Sequence, residues 1–267
     1  MNFLVAQMIS CYNPFETKER NLIKIYPFET KERNLIKIYS FEKGIHMKAI
    51  SKMKSLILKY RHAWVLLYGL IYMPWFCYLE KRQTIHYLIH SPLDDYIPFV
   101  EYFIIPYLLW FVFLAVTGAY FFFYEPQRLY RLAAFLCSGM TIFLIVCTIF
   151  PNGLNLRPVT FPRENIFTDL VRMIYSMDTP TNVLPSIHVY NSLGAMAAIA
   201  HSTSLKKHRR VQIGSYVLGI LIIFSTVFLK QHSITDVIAA LAMACMIYPF
   251  VYATQEKKET KLSQQLI

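Results

Sequence analysis

Blocks of Leu, Ile, Phe and Tyr about 20 residues long, parted by short polar stretches, dominate this chain. A helix of that length crosses the hydrocarbon core of a bilayer, and helices are the spanning choice because no water there satisfies backbone N–H and C=O groups. Six blocks are read as spans: 62–79, 97–124, 132–150, 185–202, 211–229, and a last one that follows Lys230–Thr235 and runs to Tyr252. The predicted fold class is therefore all-α, an integral membrane bundle of six transmembrane helices. The composition agrees, because 55% hydrophobic residues exceed what a soluble core of 267 residues needs, and a soluble domain would carry more than 16% charged ones.

The formal charge of +11 would point to nucleic acid in a soluble protein. Here the basic residues cluster before the first span, at Arg128 and Arg131, at Lys206–Arg210, and in the tail (Lys257, Lys258, Lys261). That spacing fits positive-inside topology and contact with anionic membrane lipids, and no nucleic-acid partner is expected. All four clusters fall on one side, so both termini are placed in the cytoplasm. The loops holding Arg157, His188 and Lys230/His232 then share the opposite, extracytoplasmic face of what is expected to be a plasma-membrane protein. Four of the five cysteines (Cys77, Cys137, Cys147, Cys245) lie inside apolar blocks without metal-ligand spacing. No acidic cluster suits a metal, so neither a metal nor another cofactor is implied.

Three regions are expected: residues 1–46, a six-span domain over 47–252, and a charged cytoplasmic tail over 253–267. Within the first, Pro14–Tyr26 is repeated letter for letter by Pro27–Tyr39. Two copies cannot build a solenoid. The identity points to recent duplication or to translated upstream sequence, so the functional protein is expected to begin at Met47 or Met53; a genuine cytoplasmic amphipathic segment is the alternative.

Two short stretches concentrate chemistry. Val183–Tyr190 reads Val-Leu-Pro-Ser-Ile-His-Val-Tyr, and Lys230–Asp236 reads Lys-Gln-His-Ser-Ile-Thr-Asp. In the first, Thr181 and Asn182 are good cap types and Pro185 suits a first helical turn. Ser186 and the neighbouring amides then form a natural anion site at a helix N-terminus, with His188 in the same turn as a proton donor. In the second, His232 and Asp236 lie four apart on one helix face. A carboxylate there sets the imidazole tautomer, and an intramembrane Asp calls for a partner. Lys230 adds a positive charge at the same rim, suited to phosphate oxygens. The other histidines (His46, His62, His86, His90, His201, His208) are read as interfacial, and Asp94 and Asp95 as a solvated loop.

These residues resemble the motifs of the type 2 phosphatidic acid phosphatase (PAP2) superfamily. Its Pro-Ser-Gly-His element appears as Pro185-Ser186-Ile187-His188. Its Ser-Arg, five residues, His, three residues, Asp element appears as Ser225-Thr226 … His232 … Asp236, with Thr226 in place of the Arg. Its Lys, six residues, Arg-Pro element is reduced to Arg157-Pro158, with Phe150 at the lysine position. The resemblance covers roughly 47–252 and implies a PAP2-like bundle acting on a lipid phosphate. It implies that His232 is the nucleophile and forms a phosphohistidine, that Asp236 orients it, that His188 protonates the leaving oxygen, and that Arg157 and Ser186 hold phosphate oxygens. Lys230, with Arg163 or Arg172, is the expected replacement for the missing motif cations. The activity expected is a lipid phosphatase on phosphate or pyrophosphate head groups. The alternatives left open are a sphingomyelin-synthase-like lipid phosphotransferase and a non-catalytic lipid-phosphate-binding or transport protein. The particular lipid and the oligomeric state are not legible from these motifs.

Overall fold

The computed structural model describes residues 47–48, 50–82 and 85–253. The repeated segment within 1–46 and the tail lie outside the described residues. The chain divides at Lys59/Tyr60 into two units. In the first, helix α1 runs through the described residues between 47 and 59.

The second unit carries the apolar blocks. A 3-10 stretch over Arg61–Tyr68 leads into α2 (Gly69–Arg82), followed by α3 (Ile104–Tyr124), α4 (Pro126–Ile149), α5 (Ile166–Met177), α6 (Ile187–Ala200), α7 (Arg209–Phe228) and α8 (Ile234–Tyr248). A π-helical turn over Pro249–Ala253 extends the last. Among the described residues, five segments have the length and apolarity to cross a membrane: Arg61–Arg82, Glu101–Tyr124, Pro126–Ile149, Arg209–Phe228 and Ile234–Tyr252. Pro106, inside the second predicted span, sits in the first turn of α3.

The sixth apolar helix, α6, is 14 residues long, shorter than the predicted 185–202. At 1.5 Å per residue it covers about 21 Å, less than the hydrocarbon thickness. Its surroundings compensate. Ten of its 14 residues are buried, and it packs against α3, α4, α7 and α8. Protein encloses this helix, whereas the longer ones keep large apolar side chains such as Phe111, Val116 and Ile220 exposed, as a lipid-facing surface requires. Close packing at its centre depends on glycine at 139. A Cβ there would lie 2.1 Å from the Tyr190 ring, which stacks on Phe135 at 4.5 Å between centroids.

The two ends of the bundle are tied differently. At one end Glu125, between α3 and α4, accepts hydrogen bonds from the Ser202 hydroxyl (2.6 Å), both donors of Thr203 (3.0 Å each) and the Ser204 amide (3.2 Å). Burial pushes its carboxyl up, but these donors outweigh that and bring its pKa down to about 2. At the other end β1 (Tyr87–Leu88) pairs in parallel with β2 (Asn152–Gly153). Asn152 is fully buried, and its Oδ1 accepts from the amides of Val183 and Leu184 (2.8 and 2.9 Å). This side chain therefore fixes the approach to α6, where the histidine stretches lie.

Candidate active site

Helix α6 begins at Ile187, one residue before the first histidine, because Ser186 caps it: its Oγ accepts from the Val189 amide. His188 thus projects from the first turn. Helix α8 begins at Ile234 with Ser233 as its cap, and Asp236 closes a capping box by accepting from the Ser233 amide at 2.9 Å. The carbonyl of Thr226, at the end of α7, accepts from the amides of both Gln231 and His232 (2.9 and 3.0 Å). That anchor turns the chain back sharply enough for His232 to face α6.

The result is a linear array. Asp236 Oδ2 lies 3.3 Å from His232 Nδ1, and His232 Nε2 lies 3.3 Å from His188 Nδ1. All three residues are buried, and the His188 ring packs against Trp110 (4.4 Å between centroids) and Tyr107 (4.9 Å). The protons follow from the acidic end. An ionised carboxylate only accepts, so Nδ1 of His232 carries the hydrogen and its Nε2 carries the lone pair. His188 Nδ1 is then the donor of the second bond. One imidazole therefore offers a nucleophilic nitrogen, and the other holds a proton beside it.

A cavity of about 30 Å³ opens at these rings, lined by Glu80, Asp178, Asn182, Gln231 and the two histidines, with Phe76, Phe143 and Ile187 as apolar walls. That is room for about one or two waters. Glu80 is held by Thr179 (2.6 Å) and Asn182 (2.9 Å).

The remaining sequence-predicted residues are placed as follows. Arg157 reaches this region, but its contacts are protein groups: the carbonyls of Tyr175 (3.2 Å) and Asp178 (2.8 Å), the Gln231 side-chain oxygen (2.5 Å), and the Tyr175 ring beneath it at 4.5 Å. Burial lowers its pKa, opposed by the Asp178 carboxylate; burial raises that of Asp178, opposed by Arg157 and His232. Ser186 is buried as the cap of α6 and is not among the residues lining the cavity. Lys230 is brought elsewhere: its ammonium donates to the carbonyls of Asp94 (2.7 Å) and Ile97 (2.6 Å). Burial lowers its pKa, opposed by Asp94 and Asp95. Arg163 pairs with Glu101 at 3.5 Å, and Arg172 pairs with Glu164 and Asp169 over the Phe161 ring. Neither of these two arginines lines the cavity, and among the described residues that line it there is no Lys or Arg.

One reading of a loop residue is corrected. Asp95 is exposed and pairs with His90, but Asp94 is buried, not solvated. Its Oδ2 accepts from Ser233 Oγ (2.6 Å) and the Ser91 amide (2.8 Å), and its Oδ1 from the Ile234 amide (2.8 Å). It therefore caps α8 from a distant loop, where a carboxylate also suits the helix dipole. The available signal was Ser91 three residues ahead of it, a capping-box spacing. His62 is buried and bonded through Nε2 to the Phe122 carbonyl at 2.8 Å. Gln231 was assigned no role, and nothing in its sequence context would have given it one.

No curated protein and no solved structure matches the chain. Residues 132–260 match the family model of the PAP2 superfamily. That segment contains both histidines and the aspartate of the array, in the order and spacing of the Pro-Ser-Gly-His and Ser-Arg … His … Asp elements, and it belongs to the PAP2 superfamily.

Proposed function

We propose that this chain is a membrane-embedded lipid phosphatase that removes phosphate or pyrophosphate head groups through a phosphohistidine at His232. The observation that carries the reading is the Asp236–His232–His188 array inside the PAP2 segment. His232 Nε2 attacks phosphorus, and the bond from phosphorus to the lipid oxygen breaks. The Nδ1 proton of His188 passes to the leaving oxygen, so the lipid of a monophosphate departs as a neutral alcohol and that of a pyrophosphate, attacked at its terminal phosphorus, as the lipid monophosphate. Water then attacks the phosphohistidine, gives its proton back to His188, and the N–P bond breaks to release phosphate. Asp236 supports the imidazolium that forms on His232.

The same phosphoenzyme delivers its group to a second alcohol if one reaches the cavity, which is the phosphotransferase alternative. The active site faces the extracytoplasmic side. Supporting this, the basic turns at Arg128–Arg131 and Lys206–Arg210 lie next to the end tied by Glu125, and the array lies near the end tied by Asn152.

The test is an assay of purified protein on phosphatidate and a polyprenyl pyrophosphate, with products identified by mass spectrometry, together with acid-labile phosphate trapping on His232. Release of lipid and phosphate by the parent, and loss of both release and trapping in His232→Ala, is expected. A His232→Ala protein as active as the parent refutes the assignment.

A further inference from the structure

Gln231 precedes the nucleophilic histidine and is 3% exposed. Its side-chain oxygen accepts from Nη2 of Arg157, while Nη1 of that guanidinium donates to two backbone carbonyls, its plane lies over the Tyr175 ring, and its Nε is buried without a partner. A guanidinium has five donors and no acceptor. Whatever the refined orientation of the amide, the end facing Arg157 has to be oxygen, and the NH2 group has to face away. That Nε2 is buried and has no hydrogen-bond partner. Gln231 lines the same cavity as His188 and His232, and its backbone shares the Thr226 carbonyl anchor with His232. A buried donor without an acceptor is costly, and a native structure that keeps one next to two reactive side chains calls for an explanation.

We infer that the Gln231 side-chain amide donates to a phosphoryl oxygen of the substrate, with Arg157 acting as the positioning residue that turns its NH2 toward the cavity. This rests on the reading of the cavity as a phosphoryl-transfer site. It also accounts for a discrepancy. Thr226 and Phe150 occupy the places where the family motifs carry cations, and Lys230, Arg163 and Arg172 are bonded elsewhere. A neutral amide supplies the donor that those positions lack. It stabilises charge on the equatorial oxygens as phosphorus is transferred, in the manner of an oxyanion-hole donor.

The test uses full-length purified protein with two variants and two readouts. Gln231→Glu keeps an acceptor for Arg157 but presents an oxygen to the cavity; Gln231→Met keeps the approximate volume and removes the donor. Inorganic phosphate and orthovanadate are titrated as thermal-shift ligands, and phosphatidate turnover is measured in parallel. In the parent both anions should raise the unfolding temperature. In both variants that protection should be lost, and turnover should fall by about 100-fold or more. Gln231→Glu should unfold, without added anion, near the parent's temperature, which a merely structural role for Gln231 would also allow. The loss of anion protection separates the two roles. Variants that keep both anion protection and turnover within twofold of the parent overturn this inference alone. A parent that neither binds these anions nor releases phosphate overturns the reading of the site and this inference with it.

Discussion

The Lys230 ammonium donates to the backbone carbonyl of Asp94 at 2.7 Å, while the Asp94 carboxylate accepts from Ser233 and Ile234 on the far side of the histidine. The two residues form a reciprocal clasp across His232, each binding the other's loop. A lysine whose charge looks suited to phosphate instead satisfies carbonyls that would otherwise be left at a partly buried turn.

The clasp predicts that Asp94→Ala lowers stability more than an ordinary surface change does. It removes three hydrogen bonds to a charged acceptor, two of them from the start of α8, at a cost of about 2–4 kcal/mol. Unfolding temperature in detergent, measured beside Asp95→Ala, checks this. Asp95 is exposed, so its variant should unfold within error of the parent. Equal effects of the two would contradict the clasp.

Asp236→Asn should leave the fold intact but cut turnover by about 100- to 10,000-fold, because the amide no longer fixes the His232 tautomer or supports its cation. Steady-state kinetics beside thermal unfolding would read both effects. Near-parent turnover would mean that the 3.3 Å contact has no part in the reaction.

Glu125 sets a pH dependence at the end away from the site. Its folded-state pKa, about 2, lies below the ordinary value of 4.5. A depressed carboxyl contributes stability in full above its unfolded pKa and loses it as pH falls toward the folded value. The unfolding-temperature gap between the parent and Glu125→Gln should therefore be widest above about pH 5 and should shrink between roughly pH 4.5 and 2. A gap unchanged from pH 6 to pH 3 would show that the Ser202–Ser204 donors do not hold an ionised carboxylate.

Much of this protein follows from local pattern. The length of the apolar runs determines that helices form and about where they end, since that is a count of residues against bilayer thickness. The four-residue step from His232 to Asp236 places them on one face of any helix. Motif order was enough to nominate His188 across 44 residues of chain. What the tertiary structure alone decided is where each polar side chain finds its partner. Asp94 and Lys230 carry groups that a linear reading treats as solvated or cationic, Gln231 one to which it gives no role, and their partners lie on other loops: Ser233 is 139 residues from Asp94, and Arg157 is 74 from Gln231. The direction of a long side chain depends on the nearest acceptor or donor in three dimensions, and a buried donor is recognised as unsatisfied only after every neighbouring atom has been placed.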